Sequence, residues 1–408
     1  MRSVSDRLVI IGAGQAGFAL AAKLRALKDM RPITLIGSEA ELPYQRPPLS
    51  KKYLLGEMTF DRLLFRPQNW YGEADIDVRL STPVEAIDRN QKKLRLFDGS
   101  TIAYDKLALA TGATPRRLPN ALGGDLAGVY TVRDKADADQ LAGEMKTGRR
   151  LLIVGGGYIG LEAAAVARKL GLAVILIEMA PRILARVASP ETADAIRAIH
   201  VSEGVEIAEN TGLTRLIGDA GRVTAAELSD GRVLDVDMVI VGIGVMPNDR
   251  LAADCGLETS NGIEVDAFGR TSDPDIYAMG DCATFDWKGS KVRLESVQNA
   301  VDQAEAVAAV LAGDSEPYKP KPWFWSDQYD VKLQIAGFNL GYDETISREG
   351  ARPGSLSIWY YAKGQLIAVD AINDAKAYVT AKKLLDTGRN ADRALIADPG
   401  YDLKALLA

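Results

Sequence analysis

The sequence predicts an α/β protein in which two βαβ nucleotide-binding units precede a C-terminal α+β domain. The first observation is an internal repeat: an apolar strand-like run, three glycines and an Ala-rich stretch begin at Arg7 and recur in type from Arg149. The second is that each copy leads to another short apolar run, at 33–37 and 173–178, as expected of parallel strands around a helix. The third is a change to hairpin-linked strands beyond the proline-rich segment 316–323.

The first glycine motif lies between a strand pattern and a helix pattern. Gly12 permits a tight turn, Gly14 lets a pyrophosphate approach the backbone, and Gly17 allows close packing of the helix. The N-terminus of that helix then faces the diphosphate. Glu39, just past the second strand, is placed to accept hydrogen bonds from an adenosine ribose. The motif predicts a Rossmann-like dinucleotide site formed by Gly12, Gly14, Ala16, Gly17, Ser38 and Glu39.

The second glycine motif is the more regular match, because an acid, Glu178, closes its second strand. A 2′-phosphate about 4 Å from this carboxylate would meet a repulsion of up to ~4 kcal/mol at an effective dielectric constant of ~20, which favours NAD over NADP. Arg182, close behind the acid, would soften this preference. The residues assigned to this site are Gly155, Gly157, Tyr158, Ile159, Gly160 and Glu178.

Turn and helix signals predict the remaining elements. Hairpin turns inside alternating strand patterns are marked by Asp98-Gly99, Asp230-Gly231 and Lys363-Gly364. Helical patterns occur at 296–313, 374–387 and 391–397. The first of these helices ends before the proline-rich segment, which is the best candidate for a domain boundary.

Composition limits the classes of function. The 408 residues suffice for two to three domains, and 47% hydrophobic with 25% charged residues are typical of a globular protein. A formal net charge of -6 argues against nucleic-acid binding. Cys255 and Cys282 form no CxxC or CxxxxC pair, so we expect no disulfide framework and no local dithiol redox centre. With His200 as the single histidine, we also expect no metal site.

No targeting or membrane segment is expected from the sequence. The patterned part begins at Arg7, which leaves no room for a signal peptide before it. Apolar runs such as 172–177 are far shorter than the ~20 residues that span a bilayer. We therefore expect a cytoplasmic protein with no membrane partner.

Further motifs resemble a known family. The segments at 107–118, 241–249 and 276–283 resemble the signature segments of flavoprotein reductases with two dinucleotide-binding domains, the glutathione-reductase-like arrangement. The segments at 43–51, 294–300 and 322–329 narrow the resemblance to the FAD-dependent NADH:ferredoxin reductases of bacterial oxygenase systems. The matching segments occur in the order of the family and extend over essentially the whole chain.

This resemblance implies a reaction and a division of the chain. FAD binds at the first glycine motif and NADH at the second; hydride passes from NADH to FAD, and single electrons then pass to a two-iron two-sulfur (2Fe-2S) ferredoxin that supplies a monooxygenase or dioxygenase. The implied domains are an FAD-binding domain at 1–111 and 245–320, an NAD-binding domain at 112–244 and a C-terminal α+β domain at 321–408.

The resemblance also implies roles for individual residues. Lys51 lies near the isoalloxazine, Glu162 pairs with this lysine and meets the nicotinamide, and Trp325 lies near the isoalloxazine. Asp281 binds the ribityl chain, and Val297 offers backbone hydrogen bonds to the pyrimidine edge of the flavin. Further FAD contacts are expected from Arg46, Val84, Thr111, Gly112 and Arg133, and a further NAD contact from Gly244.

The route of the electrons follows from what the chain lacks. Relatives with a disulfide relay carry a CxxxxC pair just after the first βαβ unit, where this sequence has no cysteine. Electrons must then leave the flavin directly. The ferredoxins of the family are acidic, so we expect a transient complex with a monomeric reductase at a local basic patch. Candidates for this patch are Lys52, Arg62, Arg66, Lys288, Lys291, Arg293 and Lys332.

Two alternatives remain open at this point. A rubredoxin reductase or a monodehydroascorbate reductase shares both dinucleotide sites and differs in the acceptor. A redox-switched interaction protein resembling the apoptosis-inducing flavoproteins belongs to a different class, in which nucleic acid binds a basic surface. The acidic net charge of -6 argues against the second alternative.

Overall fold

Two five-stranded parallel sheets, each flanked by helices, organise the chain in this computed structural model, which describes residues 6–314 and 316–408. The α-helices of these residues are α1 (Gln15–Ala26), α2 (Gln68–Glu73), α3 (Lys135–Glu144), α4 (Tyr158–Lys169), α5 (Pro190–Ser202), α6 (Arg250–Asp254), α7 (Val297–Leu311), α8 (Ala375–Asp386) and α9 (Arg393–Ala397).

The strands that the structure describes begin with β1 (Leu8–Ile11), β2 (Ile33–Ile36), β3 (Ile76–Arg79), β4 (Val84–Asp88), β5 (Lys93–Leu96), β6 (Thr101–Ala103), β7 (Lys106–Leu109) and β8 (Ala113–Pro115). The next are β9 (Val129–Tyr130), β10 (Arg150–Val154), β11 (Ala173–Ile177), β12 (Val205–Ala208), β13 (Leu213–Asp219), β14 (Arg222–Leu228), β15 (Val233–Asp235), β16 (Met238–Val241) and β17 (Val245–Pro247). The last are β18 (Ile263–Glu264), β19 (Ile276–Ala278), β20 (Ala283–Trp287), β21 (Ser290–Val292), β22 (Trp323–Gln328), β23 (Val331–Gly337), β24 (Glu344–Glu349), β25 (Leu356–Ala362) and β26 (Gln365–Ile372).

The first compact unit consists of residues up to Gln45, 60–114 and 245–321. Its parallel sheet has the strand order β19-β7-β1-β2-β3. All four residues of β1 are buried, as expected for a parallel strand with helices on both faces of its sheet. Helices α1 and α7 pack against each other over this sheet. A small antiparallel sheet, β4-β5-β6, contains the turn predicted at Asp98-Gly99.

The second compact unit consists of residues 46–59, 115–244 and 322–408. Its parallel sheet has the order β12-β11-β10-β16-β9, and a five-stranded antiparallel sheet, β22-β23-β26-β25-β24, follows near the C-terminus. One continuous core joins the two sheets of this unit, because Leu161 of α4 and Leu333 of β23 belong to the same buried cluster. Helix α8 packs on β23 and β26. The predicted fold class, two Rossmann-like domains and a C-terminal α+β domain, is confirmed.

The unit boundaries differ from the implied domains in two large respects, besides small shifts that place 112–114 and 321 in the first unit. Residues 46–59 belong to the second unit, whereas the sequence-based division placed them with the first glycine motif. Residues 322–408 form one unit with 115–244, since β22 packs against α4 and the two segments share their core. One break between the units falls between Lys321 and Pro322, inside the proline-rich segment.

Candidate cofactor sites

The first glycine motif forms the turn between β1 and α1. Gly12 has a φ of +113°, and a Cβ atom there would lie 2.1 Å from the carbonyl oxygen of Ala110. A Cβ atom on Gly17 would lie 1.9 Å from the carbonyl oxygen of Gly12, so only glycine permits this approach of helix and turn. A Cβ atom on Gly14 would meet nothing within 4 Å. Gly14 therefore exposes backbone to a ligand, while its two neighbours shape the turn.

The N-terminus of α1 is available to an anion. Gly14 caps the helix without a side-chain hydrogen bond, and the first turn contains no acidic residue. The first intrahelical bond runs from the N–H of Phe18 to the carbonyl oxygen of Gly14, at 3.0 Å. The preceding N–H groups thus have no acceptor inside the helix, and together with the helix dipole they favour a phosphate.

Glu39 lies at the end of β2 with a defined orientation. The hydroxyl of Tyr44 donates to Glu39 Oε2 at 2.6 Å. The chain just before Val84 is tied to the same loop, since the N–H of Ser81 donates to the carbonyl oxygen of Glu39 at 2.8 Å. Glu39 and the residues before β4 therefore lie together beyond the carboxyl ends of β2 and β3, where the adenosine half of a dinucleotide is expected. Ser38, beside Glu39, is exposed.

Asp281 lies beside the N-terminus of α1. It belongs to a 3₁₀ turn, Gly280–Cys282, in which the N–H of Gly280 donates to Gln303 Oε1 of α7 at 2.8 Å. A Cβ atom on Gly280 would lie 3.2 Å from the Cβ atom of Ala16, so this turn contacts the glycine motif directly. The structure thus brings Asp281, expected at the ribityl chain, next to the expected diphosphate site.

Val297 is the first residue of α7, and the Oγ of Ser296 caps this helix by accepting from the N–H of Asn299 at 3.1 Å.

Asn248 holds Thr111 and Gly112. The Thr111 hydroxyl donates to the Asn248 carbonyl oxygen at 2.6 Å, and the N–H of Asn248 donates to the Gly112 carbonyl oxygen at 2.9 Å. The first unit therefore presents an open glycine turn, two helix N-termini and two carboxylates, and this donor set fits FAD.

The second glycine motif repeats this geometry between β10 and α4. Gly155 has a φ of +108°, and a Cβ atom there would lie 2.5 Å from the carbonyl oxygen of Gly242. A Cβ atom on Gly160 would lie 2.1 Å from the carbonyl oxygen of Gly155, whereas one on Gly157 would meet nothing within 4 Å. The second unit therefore has its own open turn at a helix N-terminus, and this fits a second dinucleotide.

Glu178 forms hydrogen bonds with the backbone of the glycine loop and of the residues that follow β11, which its spacing in the sequence does not reveal. Its Oε2 accepts from the N–H of Gly156 at 2.7 Å, and its Oε1 accepts from the N–H of Ala180 at 2.8 Å. Each oxygen keeps a lone pair for a ribose hydroxyl. Arg182 is held by backbone carbonyl oxygens of the following loop, the closest being that of Ala188 at 2.8 Å. This leaves Glu178 as the charge nearest the loop.

Tyr158 and Ile159 open helix α4 with different surroundings. The Tyr158 ring lies 4.9 Å from that of Phe324, while its hydroxyl is fully buried, and burial raises its pKa. The hydroxyl of Tyr158 thus lies in the interior of the second unit, while the residue as a whole is partly exposed. Ile159 is 46% exposed and remains available for contact with a ligand.

Lys51 and Glu162 form an ion pair in the second unit. Lys51 Nζ lies 2.5 Å from Glu162 Oε2, and the Glu162 side chain is only 4% exposed. Ser50 donates to the same oxygen at 3.3 Å, and Ser326 donates to Glu162 Oε1 at 2.8 Å. A charge buried this deeply requires such partners. The pair matches the resemblance. The two serines lie within the matching segments 43–51 and 322–329, but nothing in the sequence singles them out.

Trp325 lies on β22, one residue before Ser326, and its side chain takes the opposite face of the strand. Its ring lies 5.5 Å from that of Trp323, and both are partly exposed.

Arg46 Nη1 donates to the carbonyl oxygen of Arg133 at 3.0 Å. Arg46, Lys51 and Arg133, all expected at FAD, therefore belong to the second unit.

The candidates for a basic patch behave differently in the structure. Arg293 does not fit: its side chain is 6% exposed and pairs with Glu295 at 2.8 Å, because it lies under the turn that contains Asp281. Lys291 pairs with Glu264 at 3.1 Å. The exposed candidates in the first unit are Arg62, Arg66, Lys288 and Lys291, and those in the second unit are Lys52 and Lys332.

The two cysteines are free thiols. Cys282 is fully buried, its Sγ donates to the carbonyl oxygen of Met279 at 3.3 Å, and burial raises its pKa, so it is a packing residue.

The described part of the chain contains no group of three or more side chains suited to hold a metal ion. Among the described residues, no helix has the length and apolar character that a bilayer crossing requires.

Comparison with known proteins agrees with this geometry. A family model described as pyridine nucleotide-disulphide oxidoreductase matches residues 6–304, and one described as reductase C-terminal matches residues 323–407. A ferredoxin–NAD(P)+ reductase from a Sphingomonas species is 43% identical over 97% of this chain and 96% of its own. A rubredoxin–NAD+ reductase from Pseudomonas putida is 40% identical over 90% of this chain and 95% of its own. The crystal structure of a covalent putidaredoxin reductase–putidaredoxin complex contains a chain that is 37% identical, with a TM-score of 0.95 over 98% of both chains.

Proposed function

Because the chain belongs to the pyridine nucleotide-disulphide oxidoreductase family, as an FAD-dependent ferredoxin reductase, we propose that it passes electrons from NADH to a 2Fe-2S ferredoxin that supplies an oxygenase. The observation that carries this proposal is the pair of open glycine turns, one in each unit, with an ion pair, Lys51–Glu162, buried beside the second.

The first unit holds FAD in this proposal. The N–H groups at the start of α1 bind the diphosphate, Glu39 binds the adenosine ribose, and Asp281 binds the ribityl chain. The N–H of Val297, at the start of α7, would bind the pyrimidine edge of the flavin. When bound, FAD accepts hydride from the nicotinamide and releases electrons one at a time. The N-terminus of α7 supplies partial positive charge, which would stabilise the negative charge that develops during this reaction.

The second unit holds NADH. The N–H groups at the start of α4 bind its diphosphate, and Gly244, with a φ of +95° and no neighbour within 4 Å of a Cβ position, leaves space beside the turn. Glu178 accepts hydrogen bonds from the adenosine ribose and repels a 2′-phosphate, so NADH is preferred over NADPH. Arg182 is held on the following loop by backbone carbonyl oxygens, the closest being that of Ala188 at 2.8 Å. Dependence on NADH supports the cytoplasmic location expected from the sequence.

The acceptor is a small iron–sulfur carrier. With Cys282 buried and Cys255 far from it in sequence, the chain offers no dithiol to relay electrons, so they pass directly to the partner. The solved complex of putidaredoxin reductase with putidaredoxin supports a carrier protein as partner. We place an acidic, transiently bound ferredoxin on a monomeric reductase, and exposed cations such as Lys52, Arg62 and Lys332 are the candidates that speed its association.

Steady-state turnover with a panel of acceptors tests the proposal. The holoenzyme is given NADH or NADPH together with a 2Fe-2S ferredoxin, a rubredoxin or monodehydroascorbate at matched ionic strength. We expect the highest kcat/KM with NADH and a ferredoxin, and a decrease of this value with added salt. A higher kcat/KM with rubredoxin or monodehydroascorbate would replace the proposed acceptor. If none of the acceptors supports turnover, an interaction protein would be favoured instead.

A further inference from the structure

Five polar side chains of the second unit form one continuous chain of hydrogen bonds that ends on Glu162. Ser326 Oγ lies 2.8 Å from Glu162 Oε1, and Gln328 Nε2 lies 3.0 Å from Ser326 Oγ. Gln328 Oε1 lies 2.7 Å from His200 Nε2, and the hydroxyl of Tyr329 lies 3.1 Å from His200 Nδ1. The chain joins α4, β22 and α5, and none of its members except Glu162 was assigned a role from the sequence.

The interior position of this chain requires that its groups satisfy one another. Glu162, Ser326, Gln328 and His200 are 3%, 1%, 2% and 0% exposed, so bulk water does not replace a lost partner. Burial lowers the pKa of His200, which keeps the imidazole neutral and leaves one ring nitrogen as donor and the other as acceptor.

The chemistry of the groups fixes the direction of every hydrogen bond. The Glu162 carboxylate, paired with Lys51, can only accept, so the Ser326 hydroxyl must donate to it. Ser326 Oγ then accepts from the amide nitrogen of Gln328, which turns the amide oxygen of Gln328 toward His200. His200 must therefore carry its proton on Nε2, and Nδ1 accepts from the hydroxyl of Tyr329. All the donors point toward the carboxylate, and bonds aligned in this way strengthen one another.

We infer that Ser326, Gln328 and His200 are positioning residues, which hold the Glu162 carboxylate with one oxygen turned toward Lys51. Glu162 Oε2 is shared by Lys51 and Ser50, whereas Ser326 is the side chain that donates to Oε1. Without that donor the carboxylate is free to rotate about its last torsion angle and to weaken its pair with Lys51. The inference rests on the proposed function, because it assigns these residues to the group that meets the nicotinamide.

His200 acts on Glu162 through the amide of Gln328. When His200 donates, the Gln328 oxygen is held on the histidine side. When that donor is lost, the buried Gln328 oxygen has no partner, and the amide no longer holds Ser326 Oγ in the orientation in which its hydroxyl points at Glu162. A substitution on α5 is therefore expected to reproduce the effect of removing the serine hydroxyl on β22.

The test compares matched variants of the holoenzyme by anaerobic flavin reduction with NADH. Ser326→Ala and His200→Leu are expected to lower the limiting rate at saturating NADH by roughly tenfold, while the Kd for NADH changes by less than about twofold. The first variant removes the donor to the Glu162 carboxylate, and the second removes the donor that orients the Gln328 amide beside that serine. Ser326→Thr keeps the hydroxyl, and His200→Gln keeps an N–H near the position of Nε2. Both are expected to retain a rate within about twofold of the unsubstituted protein.

A double-mutant cycle separates positioning from simple loss of packing. In a Glu162→Gln background, Ser326→Ala is expected to cause no further decrease in the limiting rate, since the carboxylate that the serine holds is gone. Additive losses in this cycle, or equal losses in the alanine and threonine variants, would overturn the inference. If the unsubstituted protein reacts with NADH and the Ser326→Ala and His200→Leu variants react equally fast, the inference fails while the proposed function stands. If the unsubstituted protein does not react, the proposed function itself fails.

Discussion

Glu178 accepts a hydrogen bond from the N–H of Gly156 at 2.7 Å, so the acid expected at the ribose is also a structural part of the second glycine loop. Its other oxygen accepts from the N–H of Ala180 at 2.8 Å. The carboxylate thereby fixes the backbone on both sides of itself. Substitution of Glu178 is expected to affect both the choice between NADH and NADPH and the order of the loop.

Glu178→Arg is expected to reverse part of the preference for NADH. Removing the negative charge abolishes a repulsion of up to ~4 kcal/mol toward a 2′-phosphate, and the new cation attracts it. We expect the ratio of kcat/KM for NADH over that for NADPH to fall by at least about tenfold, a change of about 1.4 kcal/mol. Part of the fall comes from weaker binding of NADH, because the loop loses two acceptors.

Glu209→Gln is the matched control for that variant. Glu209 also accepts from a backbone N–H of the neighbouring loop, that of Ile183 at 2.8 Å, and it pairs with Arg197 at 3.1 Å. The control weakens the hydrogen bonding of the neighbouring loop but leaves Glu178 unchanged. The ratio of kcat/KM for NADH over that for NADPH should therefore stay within about twofold of its value in the unsubstituted protein. An unchanged ratio in Glu178→Arg would contradict the assignment of Glu178.

Gly14→Val is expected to abolish FAD binding without unfolding the protein. A side chain at this position meets no atom within 4 Å, yet it occupies the space through which the diphosphate reaches the helix N-terminus. Measurements are the flavin absorbance per protein after purification and the circular dichroism of the apoprotein. Gly72→Val is the control, because that position is also open in the same unit and lies on α2. Equal flavin content in both variants would argue against the first site.

Lys51→Met is expected to destabilise the second unit and to slow flavin reduction. It leaves the Glu162 carboxylate, 4% exposed, without its cation, and breaking a buried pair in this way costs about 3 kcal/mol. The double variant Lys51→Met/Glu162→Gln removes the stranded charge and should recover most of the unfolding free energy, but not the rate. Recovery of the rate as well would show that the pair has only a structural role.

Asp370 is expected to make stability depend on pH. Burial raises its pKa from 3.8 to about 6, although Tyr360 and Thr192 donate hydrogen bonds to it. Because the folded state holds this proton more tightly than the unfolded state does, the contribution of Asp370 to stability decreases as pH rises from about 4 to about 6. Asp370→Asn should weaken the dependence of the thermal unfolding midpoint on pH across this range and raise the midpoint near pH 7. Asp327→Asn, at an exposed site on β22, is the control and should leave the profile unchanged.

Local patterns in the sequence predict a large part of the fold. Both glycine turns, the parallel strands and the three hairpin turns depend on short-range spacing, and the structure contains all of them; the predicted helix at 296–313 is α7, Val297–Leu311. The family assignment and the cofactors are confirmed by the comparisons. The individual site residues stay predictions, although Lys51 and Glu162 do form the expected ion pair.

The missed features all depend on contacts between distant parts of the chain. Ser326 has no signal of its own, because its role follows from the packing of β22 on α4. Segment 46–59 joins the second unit through contacts such as the core packing of Leu54, which no local pattern reveals. Arg293 was a candidate for the basic patch, but the turn at Asp281 covers it. The roles of such residues can be predicted only when the three-dimensional arrangement is known.

The most direct test of the central claim is an anaerobic double-mixing experiment. Purified holoenzyme is first mixed with one equivalent of NADH per FAD and then with oxidised 2Fe-2S ferredoxin, while the flavin absorbance is followed. We predict complete bleaching by that single equivalent, since no dithiol stores further electrons, and then recovery of the absorbance as two equivalents of ferredoxin are reduced. A requirement for more than one equivalent of NADH, or reduced flavin that ferredoxin does not reoxidise, would contradict the account.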